Sequence, residues 1–165
     1  LEIWLVAFIG GLVGSVLMDI TEAQLSKVGI SSGVTGAYVG RWAHSLLSGL
    51  FFHRDIATTD PVANELRIGQ LFHFIIGGGV VALFYPLLLM ITGIGLSTNH
   101  LLMASIFGLL TSALPWFILM PSFGWGLFGF KTPFSSRPIL SPLLSHIPYG
   151  FGIGATLLIY YELLS

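Results

Sequence analysis

Four stretches of this chain run for about twenty residues with almost no charge, and that feature limits what it can fold into. They cover residues 3–20, 69–92, 101–121 and 144–163. A helix of that length crosses about 30 Å of hydrocarbon. In hydrocarbon every backbone N–H and C=O must be satisfied within the segment, which leaves helices or closed barrels. Continuous apolar runs this long, without alternation, select helices. Only 8% of the 165 residues are charged, against about 25% in a soluble domain, so a water-facing surface is not available. The first stretch carries no basic flank and no clear small-residue cleavage site, so it reads as a retained helix rather than a signal peptide. The expected fold is an all-α integral membrane protein: one membrane domain over residues 1–165, organised as a four-helix transmembrane bundle.

Charge then orients the helices. All six basic residues fall in two connections: Lys27, Arg41, Arg54 and Arg67 between the first and second stretches, Lys131 and Arg137 between the third and fourth. Under the positive-inside rule both long loops are cytoplasmic and both termini lie outside. A net charge of −1 excludes a basic nucleic-acid binder. The absence of cysteine excludes disulfides, thiolate metal sites and iron–sulfur clusters.

The first loop is too long to lack structure of its own. Val39, Trp42, Ala43, Leu46, Leu47, Leu50 and Phe51 recur at helical spacing, with Arg41, His44, Ser45 and Ser48 on the other side. The pattern predicts an amphipathic helix over residues 38–52, lying on the inner membrane surface or packing over the bundle. Asp60-Pro61 reads as an N-cap and first helical position, so the second helix is expected to begin at Pro61. In the second loop Phe123, Trp125, Phe128, Phe130 and Phe134 alternate with Gly124, Gly126 and Gly129. That composition suits an irregular segment held at the headgroup level by aromatic anchors.

Small residues mark the helix contacts: Gly10 with Gly14, Gly11 with Ser15, Gly77 to Gly79, Gly108 with Ser112, and Gly150 with Gly154. The polar residues within or beside the spans are more informative. Asp19 and Glu22 sit on one face at the cytoplasmic end of the first span. His73 lies a turn inside the second. His146 opens the fourth, with Tyr149 three residues on. They come from different helices and share one depth. Arg41 and Glu65 are the loop residues best placed to join them. Ionisable groups at membrane depth are costly, pair with one another and mark functional pathways. The expected ligand-binding set is therefore Asp19, Glu22, Arg41, Glu65, His73, His146 and Tyr149. His44 and His53 read as solvated or capping residues, and His100 as an interfacial residue and nothing more.

Carboxylate and imidazole groups suit a divalent metal, with Asp19, His73 and His146 as its ligands. His73 and His146 would also be the axial pair of a haem. The sequence holds no HExxH, nucleophile elbow, P-loop or dinucleotide fingerprint in a credible context, so no catalytic residue is assigned and the cofactor stays open.

Asp19 after Met18, Gly40-Arg41-Trp42, Phe52-His53, Pro61-Val62 with Glu65, Gly69 with His73, Pro115, Met120-Pro121 with Gly124 and Gly126, Thr132-Pro133, and His146 with Gly150 form a set of runs that resembles the small bacterial membrane proteins of domain-of-unknown-function family 2938. The resemblance implies a four-span bacterial inner-membrane protein and no particular activity. Three functions fit. The first is binding or translocation of a small ligand, proton or metal ion at a cytoplasm-facing polar layer. The second is a membrane-embedded enzyme acting on a lipid or isoprenoid at the inner interface. The third is an accessory subunit of a membrane complex. The expected partners are membrane lipids and either a second copy of the chain, since four spans are few for a monomeric transporter, or another membrane subunit.

Overall fold

The computed structural model describes residues 2–95, 99–132 and 137–163. The described residues are helical, with no strand among them. Four helical segments are long and apolar enough to cross a membrane: Glu2–Lys27, Glu65–Thr92, His100–Ser122 and Leu140–Glu162. They enclose the first three stretches expected from the sequence and all but the last residue of the fourth. The helices are α1 (Glu2–Lys27), α2 (Gly36–Ser45), α3 (Glu65–Leu71), α4 (Phe84–Thr92), α5 (His100–Thr111), α6 (Met120–Ser122) and α7 (Leu140–Leu163).

A proline decides where the regular winding of the third span fails. A proline ring clashes with the carbonyl four residues earlier and donates no hydrogen bond. Accordingly α5 ends at Thr111, four residues before Pro115, and Pro115–Leu119 continues as a π-helix. Independently of any proline within four residues, the second span joins α3 to α4 through a longer π-helix, Phe72–Val80. Pro148 is accommodated inside α7.

The chain forms two compact units. The first comprises residues 1–21, 74–111 and 144–165. Here backbones meet at glycines, as expected where packing rather than hydrophobic drive joins helices. A Cβ on Gly10 would lie 2.9 Å from the Ile153 Cα, and one on Gly14 would meet the Tyr149 carbonyl, so α1 lies against α7. Gly108, Gly150 and Gly154 bring α5 against α7 at His146, Ala104 and His100 in turn. Gly150 therefore makes room for a neighbouring backbone. The sidewalls are filled by Val6, Met18, Ala82, Tyr85, Leu89, Phe107, Ile153 and Leu157.

The second unit comprises residues 22–73 and 112–143. Its core is Val39, Trp42, Ile56, Met120, Phe123 and Trp125. Phe123 and Trp125 are thus core residues, 0% and 1% exposed, and not headgroup anchors, whereas Phe130 is 73% exposed. Phe134 lies outside the described residues. Helix α2 begins at Gly36 under a Thr35 cap and stops at Ser45. A 3-10 turn, Leu46–Ser48, follows and closes on left-handed Gly49. The second span begins at Glu65, not Pro61, because Asn64 is left-handed at φ 59° and interrupts the winding, while the Glu65 carboxylate accepts from the Val62 N–H.

Candidate functional site

Arg41 shows how the second unit is assembled. It was expected on the polar face of its helix, yet it is buried beside Val39, Gly40 and Trp42. Two glycines make this arrangement: a Cβ on Gly40 would strike the Glu65 carbonyl, and one on Gly69 the Gly36 carbonyl, so α2 and α3 touch backbone to backbone. Glu65 then faces Arg41 with two oxygens. Arg41 Nε donates to Oε2 at 2.9 Å and Nη2 to Oε1 at 3.0 Å. Nη1 donates to the carbonyls of Ile56 at 2.9 Å and Thr59 at 2.6 Å. The Tyr38 ring lies 5.5 Å from the guanidinium carbon. Bidentate pairing holds the guanidinium proton more tightly than usual, ahead of the opposing effect of burial. This ion pair organises a helix crossing and a turn, and its hydrogen bonds are spent within the fold.

The same turn is joined to the second loop. His53 N–H donates to the Ser122 carbonyl at 2.8 Å, Ile56 N–H to that of Phe123 at 2.9 Å, and Trp125 Nε1 to Asp55 Oδ1 at 3.1 Å. Gly124, at φ +86°, allows the approach, since any Cβ there would meet the Arg54 carbonyl. The His53 ring lies between Ser45 Oγ, 2.9 Å from Nε2, and Thr59 Oγ1, 3.4 Å from Nδ1. A serine beside an imidazole invites a nucleophilic reading. Ser45 Oγ, however, also lies 2.7 Å from the Trp42 carbonyl and 2.9 Å from that of Leu50. Its single proton goes to a carbonyl, leaving the oxygen to accept from His53, so the pair caps the end of α2. Burial, and then the Arg41 charge, lower the His53 pKa and favour the neutral ring, whose Nε2–H tautomer can still donate to Ser45 Oγ.

In the first unit Tyr149 is 1% exposed and its hydroxyl donates to the Gly78 carbonyl at 2.7 Å. Gly78 belongs to the π-helix of the second span. The Tyr149 hydroxyl therefore bonds a carbonyl of the π-helix across the helix contact. Ser15 Oγ is fully buried beside Gly78 and has no hydrogen-bond partner among the described residues. His146 is half-buried, its ring centroid 6.2 Å from that of Tyr149. Asp19 lies on an exposed position of α1.

The seven residues expected to bind ligand divide between the units. Asp19, His146 and Tyr149 belong to the first, and Glu22, Arg41, Glu65 and His73 to the second. Arg41 meets Glu65, and His146 meets Tyr149. His73 is half-buried and occupies the second position of the long π-helix. Among the described residues no group of three or more His, Asp or Glu side chains could hold a metal ion, which leaves the Asp19–His73–His146 metal set without support. An apolar cleft of about 360 Å³ in the first unit is lined by Leu17, Ile20, Ser105, Pro148 and Phe151, and by none of the seven.

His100 corrects its expected role. It is 4% exposed, its Nδ1 lies 3.0 Å from the Tyr85 hydroxyl, and its ring stacks on Tyr161 at 5.9 Å. The available signal was the matched set of Tyr85, Tyr160 and Tyr161 at the ends of neighbouring spans. Tyr160 adds a 3.0 Å hydrogen bond to Glu2.

Fold and site together define an all-helical protein with four potential membrane spans and an interhelical ion pair beneath a folded loop. The chain belongs to the family described as proteins of unknown function (DUF2938), whose model matches residues 8–160. No curated protein and no solved structure matches it.

Proposed function

We propose that this chain is a multi-pass protein of the bacterial inner membrane that moves a proton, alone or with a small solute, with Asp19, Glu22, His73 and His146 as its protonatable groups. The observation that carries the reading is the π-helix Phe72–Val80, which bears His73. Most π-helical segments are single turns set into α-helices, and they concentrate at functional sites. This one lasts nine residues and is tied across the helix contact by Tyr149. The chemistry is that of proton exchange, since imidazole and carboxylate side chains can each take up and release a proton. Arg41 and Glu65 now serve as the frame at the start of the second span, and Tyr149 as the clamp on its π-helix. With four spans, a homo-oligomer supplies the path.

The test is reconstitution of the full chain into vesicles loaded with a pH-sensitive dye, with a potassium gradient and valinomycin setting the potential. The expected result is proton uptake above that of empty vesicles. It falls to the empty-vesicle level in His73→Ala and Asp19→Asn and persists in His44→Gln. Uptake equal to that of empty vesicles, or indifferent to His73 and Asp19, would refute the reading.

A further inference from the structure

The segment that follows α2 exposes what a soluble turn would hide. Leu47 is 86% exposed, Phe52 65%, Leu50 48% and Phe51 39%. The turn is nevertheless closely held. Gly49 N–H donates to the Leu46 carbonyl at 3.0 Å and Leu50 N–H to that of Ser45 at 3.1 Å. Trp42 Nε1 donates to the Phe51 carbonyl at 3.0 Å, and Ser45 Oγ reaches that of Leu50. Ser48 Oγ donates to the Ser45 carbonyl at 2.8 Å. The tip therefore directs its polar groups inward and its hydrocarbon outward. Irregular backbone that meets lipid must satisfy itself in this way, whereas water would make no such demand.

Two further observations say what covers the tip. The Trp42 ring lies 5.6 Å from Phe51 and 5.5 Å from Phe72, and Phe51 lies 4.8 Å from Phe52. Phe72 is part of the second candidate span, so the aromatic row puts the tip beside a segment built for hydrocarbon. The charge is complementary to an anionic surface. All six basic residues belong to this unit, and Lys27, Arg54, Arg67, Lys131 and Arg137 are exposed. Arg54 follows the tip by two residues.

We infer that residues 46–52 form an interfacial anchor, with Leu47, Leu50, Phe51 and Phe52 immersed in the acyl region of an anionic leaflet and Arg54 at its phosphates. The inserted element is thus the turn after α2, since α2 itself spends Val39 and Trp42 on the core. The inference stands apart from proton movement: it requires only that the second span lie in a bilayer.

The chain has no cysteine, so single nitroxide labels can be placed without background. Leu47→Cys and Phe52→Cys report the tip, and Asp60→Cys, also exposed, is the water-facing control. Each full-length variant is reconstituted in phosphatidylcholine vesicles with and without phosphatidylglycerol. The expected ratio of oxygen to nickel-chelate accessibility is severalfold higher at Leu47 and Phe52 than at Asp60. It rises further with phosphatidylglycerol, and that rise disappears in Arg54→Gln. Equal ratios at Leu47 and Asp60 would overturn the anchor. Spin–spin broadening at Leu47 would overturn it in favour of a second copy covering the tip, and indifference to phosphatidylglycerol would overturn its anionic preference. The Leu47 side chain touches little, so loss of folding does not confound its substitution.

Discussion

Replacing Arg41 with methionine is expected to cost about 3 kcal/mol or somewhat more, the lower part of the range for breaking a buried ion pair from one side. The Arg41 and Glu65 side chains are 7% and 17% exposed, so the abandoned carboxylate keeps a little access to water. The loss extends beyond the pair, because the carbonyls of Ile56 and Thr59 also lose their shared donor. Lysine should rescue poorly: an ammonium cannot span both carboxylate oxygens and reach two carbonyls from one rigid fork. The double replacement Arg41→Met with Glu65→Leu should be more stable than Arg41→Met alone, since it removes the uncompensated charge. Thermal unfolding of the detergent-solubilised protein reads all three. An Arg41→Met midpoint within a degree or two of the parent would show that the pair is peripheral to the fold.

The second large effect is expected at Gly150. A Cβ there would lie 2.8 Å from the Ala104 carbonyl carbon and 2.8 Å from the Ser105 Cα, with the Ala104 oxygen closer still. These are backbone atoms, so no rotamer change gives relief, and α5 must move away from α7. Overpacking of a core costs about 1–3 kcal/mol where side chains can adjust, and more where they cannot. The gain in helix propensity over glycine, about 1 kcal/mol at most, does not offset this. Gly150→Val should therefore lose its cooperative thermal transition or shift it strongly downward. Ile159→Val, at an exposed position of the same helix, should leave it nearly unchanged. Equal midpoints for the two variants would show that α5 and α7 do not meet at the glycine ladder.

What could be read from the sequence follows from the physics of each feature. The spans were legible because hydrocarbon length is a one-dimensional constraint, and the glycine spacing carried the helix contacts within it. The proper face of α2 was not. A helical pattern groups Arg41 with His44 and Ser45, but Gly40 and Gly69 bring a second helix close enough to turn Arg41 into an interior residue. Asp60-Pro61 had the composition of a helix start, but left-handed Asn64 interrupts the winding, and Glu65 binds both Arg41 and the Val62 N–H. Phe123 and Trp125 carried no sign of their burial, because the partner that covers them is a turn some seventy residues away in sequence. His100 looked solitary for a similar reason: its neighbours Tyr85 and Tyr161 arrive from the ends of other spans. Of the candidate site, Arg41 with Glu65 and His146 with Tyr149 emerged as neighbours. The winding that sets His73 apart lies in hydrogen bonds that no residue pattern announces.

The orientation of the spans is the claim on which the functional account rests, and impermeant-maleimide labelling of single cysteines in intact cells tests it most directly. Asp60→Cys, in the first long loop, should be protected until the membrane is permeabilised. Glu162→Cys, at the far end of the fourth span, should label in intact cells. Labelling of Asp60→Cys in intact cells with protection of Glu162→Cys would place the long loops on the opposite side and contradict the account.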